Sequence, residues 1–209
     1  MTKRDNHYEV AFEAYLRQRT IPYVAVDETR RSLTTPVMAT PGVDQQPQSL
    51  KSLDFIVSPN RAPAGARSWL VDVKGRRFPT GRSKQYWKNW STADELRSLA
   101  HWERLFAGQF QALLVFAYNV VGDRAPLPAE QLFEFRGSLY GFLGIRLDHY
   151  AGWSKVLSPR WQTVTIPAKQ FRALARPTDE LFGVSPAPRL PLAPSASLTS
   201  APASIASAH

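Results

Sequence analysis

A nearly continuous apolar run is the feature that most constrains how this chain folds. Residues 109–118 read Gln-Phe-Gln-Ala-Leu-Leu-Val-Phe-Ala-Tyr and follow closely on a helical pattern at 92–107. A strand that is apolar on both sides must be covered on both faces of its sheet, as strands are in α/β proteins. The run therefore predicts a buried strand in a sheet that helices flank.

The segments around this strand predict one α/β domain with a mixed sheet. Tyr8, Phe12, Tyr15 and Leu16 share one face of an opening helix. The other predicted elements are strands at 21–26, 51–58 and 68–75, the helix at 92–107, a hairpin at 132–142, a strand at 161–166 and a helix at 167–175. Their order is helix, three strands, helix and strand, followed by C-terminal additions.

The C-terminal end has a different composition from the rest of the chain. Of its last 27 residues, 18 are Pro, Ala or Ser, and Arg189 is the only charged residue among them. Such a segment buries too little apolar surface to offset the entropy lost on ordering. We therefore expect a folded domain over 1–182 and a disordered tail over 183–209.

Charge and cysteine content narrow the classes of function. The 26 Lys and Arg residues outnumber the 17 Asp and Glu residues, which gives a net charge of +9 and favours a polyanion such as nucleic acid as partner. The absence of cysteine excludes disulfides, thiolate zinc sites and cysteine nucleophiles. No signal peptide or membrane-spanning run is evident, so the sequence predicts a cytoplasmic protein without a membrane partner.

Two aspartates lie within apolar segments that read as strands. Asp54 lies in Leu-Asp-Phe-Ile-Val, and Asp72 lies in Trp-Leu-Val-Asp-Val-Lys. If these strands are neighbours, the carboxylates lie about 5 Å apart and repel each other unless a divalent cation separates them. The pattern predicts a metal site that suits Mg²⁺, with Mn²⁺ as the alternative. Lys74 shares the face of Asp72, where it can orient or deprotonate the attacking water, or neutralise charge that develops on a phosphate.

These residues resemble the signature of the PD-(D/E)XK nuclease superfamily. Asp54 matches its first acidic position and Asp72-Val73-Lys74 its acidic-x-Lys element, although Leu53 stands where the family has Pro. The resemblance covers roughly residues 5–120. It implies a restriction-endonuclease-like αβββαβ core, here with an extra C-terminal hairpin and helix, and metal-dependent hydrolysis of phosphodiesters.

The first helix offers a third carboxylate. Glu9 and Glu13 lie one turn apart on the same face, so the residues alone do not choose between them. The spacing from Glu9 to Ile21 resembles that of the archaeal Holliday-junction resolvases of this superfamily, which favours Glu9. Residues 7–13, His-Tyr-Glu-Val-Ala-Phe-Glu, also resemble the naming motif of HYExAFE, an uncharacterised planctomycete family. That second resemblance implies lineage and no reaction.

A basic, aromatic segment follows Lys74. Residues 74–90 contain six basic residues, no acidic residue and four aromatic residues. Basic side chains can neutralise phosphates, and aromatic side chains can stack on exposed bases. The predicted phosphate contacts are Arg76, Arg77, Arg82, Lys84 and Lys88. Trp87 and Trp90 are expected to pack on the core instead.

Taken together, these patterns predict a Mg²⁺-dependent nuclease that hydrolyses phosphodiester bonds of nucleic acid, with DNA as the expected substrate. Asp54, Asp72 and Glu9 would bind the metal, and Lys74 would act with them in catalysis. The alternatives are a module of the same fold that binds nucleic acid without cutting it, and an assembly protein whose Trp-rich surface binds a protein. The sequence does not distinguish DNA from RNA. A homodimer is possible, but no pattern in the sequence indicates a dimer interface.

Overall fold

The computed structural model describes residues 6–26, 51–60, 67–81, 85–106 and 108–184, so most of the predicted tail lies outside the described residues. The helices are α1 (His7–Gln18), α2 (Ala93–Leu105), α3 (Leu147–Trp153), α4 (Ala168–Leu174) and α5 (Thr178–Leu181), with a short 3₁₀ helix at Ala129–Gln131. The strands are β1 (Tyr23–Ala25), β2 (Phe55–Val57), β3 (Ser68–Phe78), β4 (Ser91–Thr92), β5 (Phe110–Val120), β6 (Phe133–Phe135), β7 (Ser138–Arg146), β8 (Lys155–Ser158), β9 (Thr163–Thr165) and β10 (Arg176–Pro177).

A seven-stranded mixed sheet forms the centre of the fold. Its order is β1-β2-β3-β5-β7-β10, and β6 pairs with β7 outside this path. β3 and β5 run parallel from Ser68 opposite Phe110 to Phe78 opposite Val120, whereas the other pairs are antiparallel. The succession α1-β1-β2-β3-α2-β5, with only the two-residue β4 between β3 and α2, has the predicted αβββαβ order around a mixed sheet, so the predicted α/β fold class is confirmed.

The sheet separates two layers of apolar side chains. On one face, Phe12 and Leu16 of α1 pack with Val71, Val115 and the fully buried Phe182. On the other face, the packed residues include Leu70, Leu99, Leu114, Tyr150 and Phe171. Because helices cover both faces, β5 is fully apolar over its buried part, as its sequence predicted.

The strand that carries Lys74 is longer than predicted. β3 continues to Phe78 because β5 pairs with it along its whole length. The first part of the predicted basic segment is therefore strand, and Arg76 and Arg77 point to opposite faces of the sheet. The strand predicted at 51–58 is shorter, since only Phe55–Val57 is paired, and Asp54 lies at a bend just before it.

The C-terminal additions include the predicted hairpin and helix. Arg136 and Gly137 connect β6 to β7 with positive φ angles of 50° and 71°, as two-residue hairpin turns require. The strand predicted at 161–166 is β9. The second sheet that it forms with β4 and β8, in the order β4-β9-β8, was not predicted, and neither was α3. Among the described residues, no helix combines the length and apolarity needed to cross a membrane.

Candidate functional site

Asp72 and Lys74 form a nearly buried ion pair on β3. They are two residues apart and so share the face of the sheet that α2 covers. Lys74 Nζ lies 2.7 Å from Asp72 Oδ2, and the side chains keep only 12% and 14% of their exposure. The structure therefore brings together the two residues of the predicted acidic-x-Lys element.

Asp54 lies next to this pair. Phe55 is paired with Val71, so the same antiparallel register, continued by one residue, places Asp54 opposite Asp72. The Val73 backbone N–H donates a 2.6 Å hydrogen bond to Asp54 Oδ2. Burial raises the pKa of the Asp54 carboxyl well above its usual range, and the charges of Asp72 and Glu9 raise it further. The two aspartates thus interact electrostatically, as their spacing predicted.

The structure also separates the roles of the two glutamates on α1. Glu9, in the first turn, is close enough for its charge to act on Asp54. Glu13 instead accepts hydrogen bonds from Arg17 (2.5 Å) and from the Tyr23 hydroxyl (2.9 Å). Glu9 is therefore the α1 carboxylate that approaches the site.

Glu95 is a fourth carboxylate at the site, and the sequence reasoning missed it. Its Oε1 lies 3.1 Å from Lys74 Nζ and 3.4 Å from Lys51 Nζ. Its Oε2 accepts hydrogen bonds from the Thr92 backbone (2.9 Å) and from the Ser91 hydroxyl (2.8 Å). The signal was present as Thr92-x-x-Glu95, a capping box at the start of a predicted helix.

The charges of these groups follow from their surroundings. Although burial opposes ionisation of Glu95, the Lys74 charge and the two hydrogen bonds lower its pKa to about 2. Burial lowers the pKa of the Lys74 ammonium, but Asp72 and Glu95 outweigh it and the net pKa is raised. Burial raises the pKa of Asp72 despite its cationic neighbour. Lys74 is therefore an ammonium ion held between two carboxylates.

The predicted phosphate contacts are divided by the fold. The Arg76 guanidinium lies 3.9 Å from the centroid of the Trp90 ring and donates to the carbonyls of Trp90 and Gly75. Burial also lowers the pKa of Arg76. The Arg76 side chain is therefore already bound to groups of the protein itself, and it holds Trp90, which lies just before α2. This placement argues against the prediction that Arg76 contacts a phosphate. That prediction did not foresee that β3 continues past Gly75.

Of the other predicted contacts, Arg77 is exposed on the α1 face of the sheet, and Lys88 is half-buried. Arg82 and Lys84 lie outside the described residues. Trp87 contacts Phe78 and Tyr118 edge-to-face, with ring centroids 5.2 and 6.2 Å apart, which agrees with its expected place against the core.

The donor set is compatible with a hard divalent cation. In the described parts of the chain, no three His, Cys, Asp or Glu side chains are grouped closely enough to hold a metal ion. Magnesium needs only one or two protein carboxylates, since waters and substrate phosphates complete its shell. Asp54 and Asp72 supply two, although the Lys74 ammonium already contacts Asp72 Oδ2 at 2.7 Å.

Comparisons with known proteins give few matches. No protein-family model matches the chain, so the resemblance to HYExAFE is left without support. No curated protein matches it either. One similar solved structure is Hjc, a Holliday junction resolvase from Archaeoglobus fulgidus. The match has 13% sequence identity and a TM-score of 0.47, and it covers 85% of this chain and 98% of that one.

Proposed function

We propose that this protein is a divalent-metal-dependent nuclease that hydrolyses phosphodiester bonds of nucleic acid, with DNA as the expected substrate. The observation that carries the proposal is the buried Asp72–Lys74 pair beside Asp54, whose pKa the charge of Asp72 raises. Burying two carboxylates close together lowers the free energy of unfolding. Groups perturbed in this way are concentrated at functional sites.

The metal would be held by Asp54 and Asp72, and Glu9 would add its charge nearby, since among the described residues no three carboxylates are grouped closely enough to bind one ion together. When bound, Mg²⁺ or Mn²⁺ supplies Lewis acidity toward a phosphoryl oxygen and lowers the pKa of a coordinated water. The chain has more basic than acidic residues, and its net charge of +9 favours the approach of a polyanionic substrate.

Lys74 would act as a cation. Its raised pKa keeps it protonated at neutral pH, so it stabilises negative charge on the reacting phosphate and does not serve as the base. Glu95 is a positioning residue, since it contacts the ammonium together with Asp72 and itself accepts hydrogen bonds from Ser91 and Thr92.

A cleavage assay tests the proposal directly. Labelled linear duplex, single-stranded and four-way-junction DNA are incubated with the protein in Mg²⁺, in Mn²⁺ and in EDTA. We expect cleavage that requires the metal, and a loss of about 100-fold or more in Asp72→Asn and Lys74→Met, as when a group that stabilises transition-state charge is removed. Asp148→Asn and Lys155→Met, both exposed and away from the site, are the matched controls.

Folding has to be checked in the same variants. Lys74→Met leaves Asp72 without its cation and Glu95 with Lys51 alone, which can cost about 3–5 kcal/mol. Asp72→Asn keeps the shape of the side chain, so its cleavage remains interpretable if Lys74→Met melts early. Cleavage by a well-folded Asp72→Asn protein at the native rate would contradict the proposal. A native protein that binds every DNA but cuts none supports the binding-module alternative, and one that does not bind supports the assembly-protein alternative.

A further inference from the structure

A cleft on the α1 face of the sheet has no role in the proposed chemistry. It has a volume of about 330 Å³ and is lined by His7, Tyr8, Arg77, Asn119 and Val121. None of these side chains is acidic, and four of them carry donors that suit an anionic or amide-bearing ligand. The volume lies within the range of pockets that hold small molecules or single groups of a larger ligand.

The register of three strands builds the polar side of this cleft. Arg77 of β3 is paired with Asn119 of β5, and Asn119 is paired with Tyr140 of β7. Paired residues project to the same face, so these three side chains form a row across the sheet. Arg77 is exposed at the end of that row.

The first turn of α1 closes the other side. A Cβ on Gly75 would lie 2.0 Å from Tyr8 Cδ2, so the absence of a side chain lets the Tyr8 ring rest on β3. The His7 ring packs on Tyr8 with centroids 3.9 Å apart, and its Nδ1 shares a 2.9 Å hydrogen bond with the Tyr140 hydroxyl. The exposed imidazole is therefore held in one orientation before any ligand binds.

We propose that this cleft is a subsite for one nucleotide of the nucleic-acid substrate, on the face of the sheet opposite Asp72 and Lys74. Arg77 binds a phosphate, the Asn119 amide contacts a base edge, and the His7–Tyr8 stack offers an aromatic surface. Two elements connect the cleft with the proposed catalytic residues: Glu9 is the residue after Tyr8 on α1, and Arg77 is three residues beyond Lys74 on β3, where its side chain projects to the opposite face of the sheet. The inference rests on the proposed function, whose residues lie on the same two elements.

Binding measured without metal tests the subsite independently of cleavage. A fluorescein-labelled single strand of about 12 nucleotides, a length within the range of single-strand sites, is titrated with protein in EDTA across a salt series. Arg77→Ala should weaken binding about tenfold and reduce the log–log salt slope by about 0.7, the value for one single-strand phosphate contact. His7→Ala should weaken binding with little change in slope. Arg160→Ala removes another exposed charge, in the turn between β8 and β9 of the second sheet, and should change the affinity much less.

The NMR signals of the His7 ring and the Asn119 amide identify the ligand at the cleft. His7→Ala assigns the ring among the four histidines. The single strand and thymidine 5′-monophosphate should both shift these signals, and inorganic phosphate should shift them less. Equal shifts with inorganic phosphate would overturn the assignment of a nucleotide. Shifts with the mononucleotide but none with the single strand would show that the cleft takes free nucleotides, and would overturn its place on the substrate path.

The two proposals can fail separately. If Arg77→Ala and His7→Ala bind the single strand as tightly as the native protein and Arg160→Ala do, the subsite is wrong, whatever the cleavage assay shows. If the variants lose affinity and the His7 signals shift, but Mg²⁺ and Mn²⁺ support no cleavage, the subsite stands and the nuclease proposal fails.

Discussion

Asp54 shows at the scale of one residue how a functional group opposes stability. It is desolvated beside two other carboxylates, and one backbone hydrogen bond, from Val73, offsets only part of that penalty. A carboxyl whose pKa is raised on folding is protonated more readily in the native state than in the unfolded chain. Its ionised form therefore destabilises the protein at neutral pH when no metal is present.

Replacing this carboxylate should stabilise the metal-free protein. Asp54→Asn keeps an oxygen that can accept the Val73 N–H, and it removes the buried charge. We expect about 1 kcal/mol of added stability, the lower end of what neutral replacements of buried charges give, and about 2–4 °C in Tm. Thermal unfolding at pH 7 in EDTA measures this. Asp148→Asn is the control of opposite sign, since hydrogen bonds from Arg146 and His149 lower the pKa of that exposed carboxyl. If Asp54→Asn and the native protein had the same Tm, the ionised Asp54 carboxylate would not destabilise the metal-free protein, and the prediction would be wrong.

The same shift fixes the direction of the pH dependence. Above the raised pKa of Asp54 the full penalty is present, and it disappears as the pH falls toward the unfolded value of 3.8. Without metal, native stability should therefore rise on moving from pH 8 toward pH 5, more than in Asp54→Asn. Glu95 acts in the opposite direction, because its pKa of about 2 lies below its ordinary value of 4.5. The stability that it contributes is lost only as the pH falls below about 4.5. A Tm that falls steadily from pH 8 to pH 5 would contradict the prediction.

At the scale of elements, the start of α2 links helix formation to the site. The Thr92 hydroxyl accepts a 3.2 Å hydrogen bond from the Glu95 N–H, and the Glu95 carboxylate accepts a 2.9 Å hydrogen bond from the Thr92 backbone N–H. The same carboxylate contacts Lys74 on β3. The cap therefore fixes a side chain that in turn fixes the ammonium.

Removal of the cap should affect both stability and catalysis. Thr92→Ala should cost about 1 kcal/mol, as other lost N-caps do, and lower Tm by about 2–4 °C. Thr92→Ser keeps the hydroxyl and is the matched control. If Glu95 positions Lys74, Thr92→Ala should also lower the cleavage rate at temperatures well below its Tm. A variant that melts early but cuts at the native rate would show that the cap is only structural.

The sequence predicted those elements whose own pattern of apolar residues shows which side is buried. It missed features that depend on pairing with strands far away in the sequence. β5 and α1 were predictable because one apolar run and one apolar stripe lie within each of them. The extension of β3 beyond Gly75 depends on pairing with β5, which local sequence does not show. Asp72 and Lys74 were found because charges are unusual in a buried strand. Glu95 was missed because a charge in the first turn of a helix is ordinary.

At the scale of the whole molecule, the C-terminal end of the described chain completes the core under α1. Phe182 is fully buried, and its ring centroid lies 6.4 Å from that of Phe12. Val184 packs against the same layer, and its N–H donates to the Asp179 carbonyl at 2.9 Å. The packed body thus reaches two residues past the boundary that composition indicated at 182. A protein shortened at this end should be sensitive to where the cut is made.

Two truncations test this boundary. A chain that ends at Val184 loses only residues rich in Pro, Ala and Ser, so its Tm should stay within about 2 °C of that of the full chain. A chain that ends at Leu181 also loses Phe182 and Val184, and the loss of a buried Phe alone costs about 3–5 kcal/mol. That corresponds to a fall of at least about 6 °C in Tm. Calorimetry of the three proteins in one buffer makes the comparison. A large fall already at the Val184 cut would show that the residues beyond it stabilise the body, and the predicted disordered tail would be wrong.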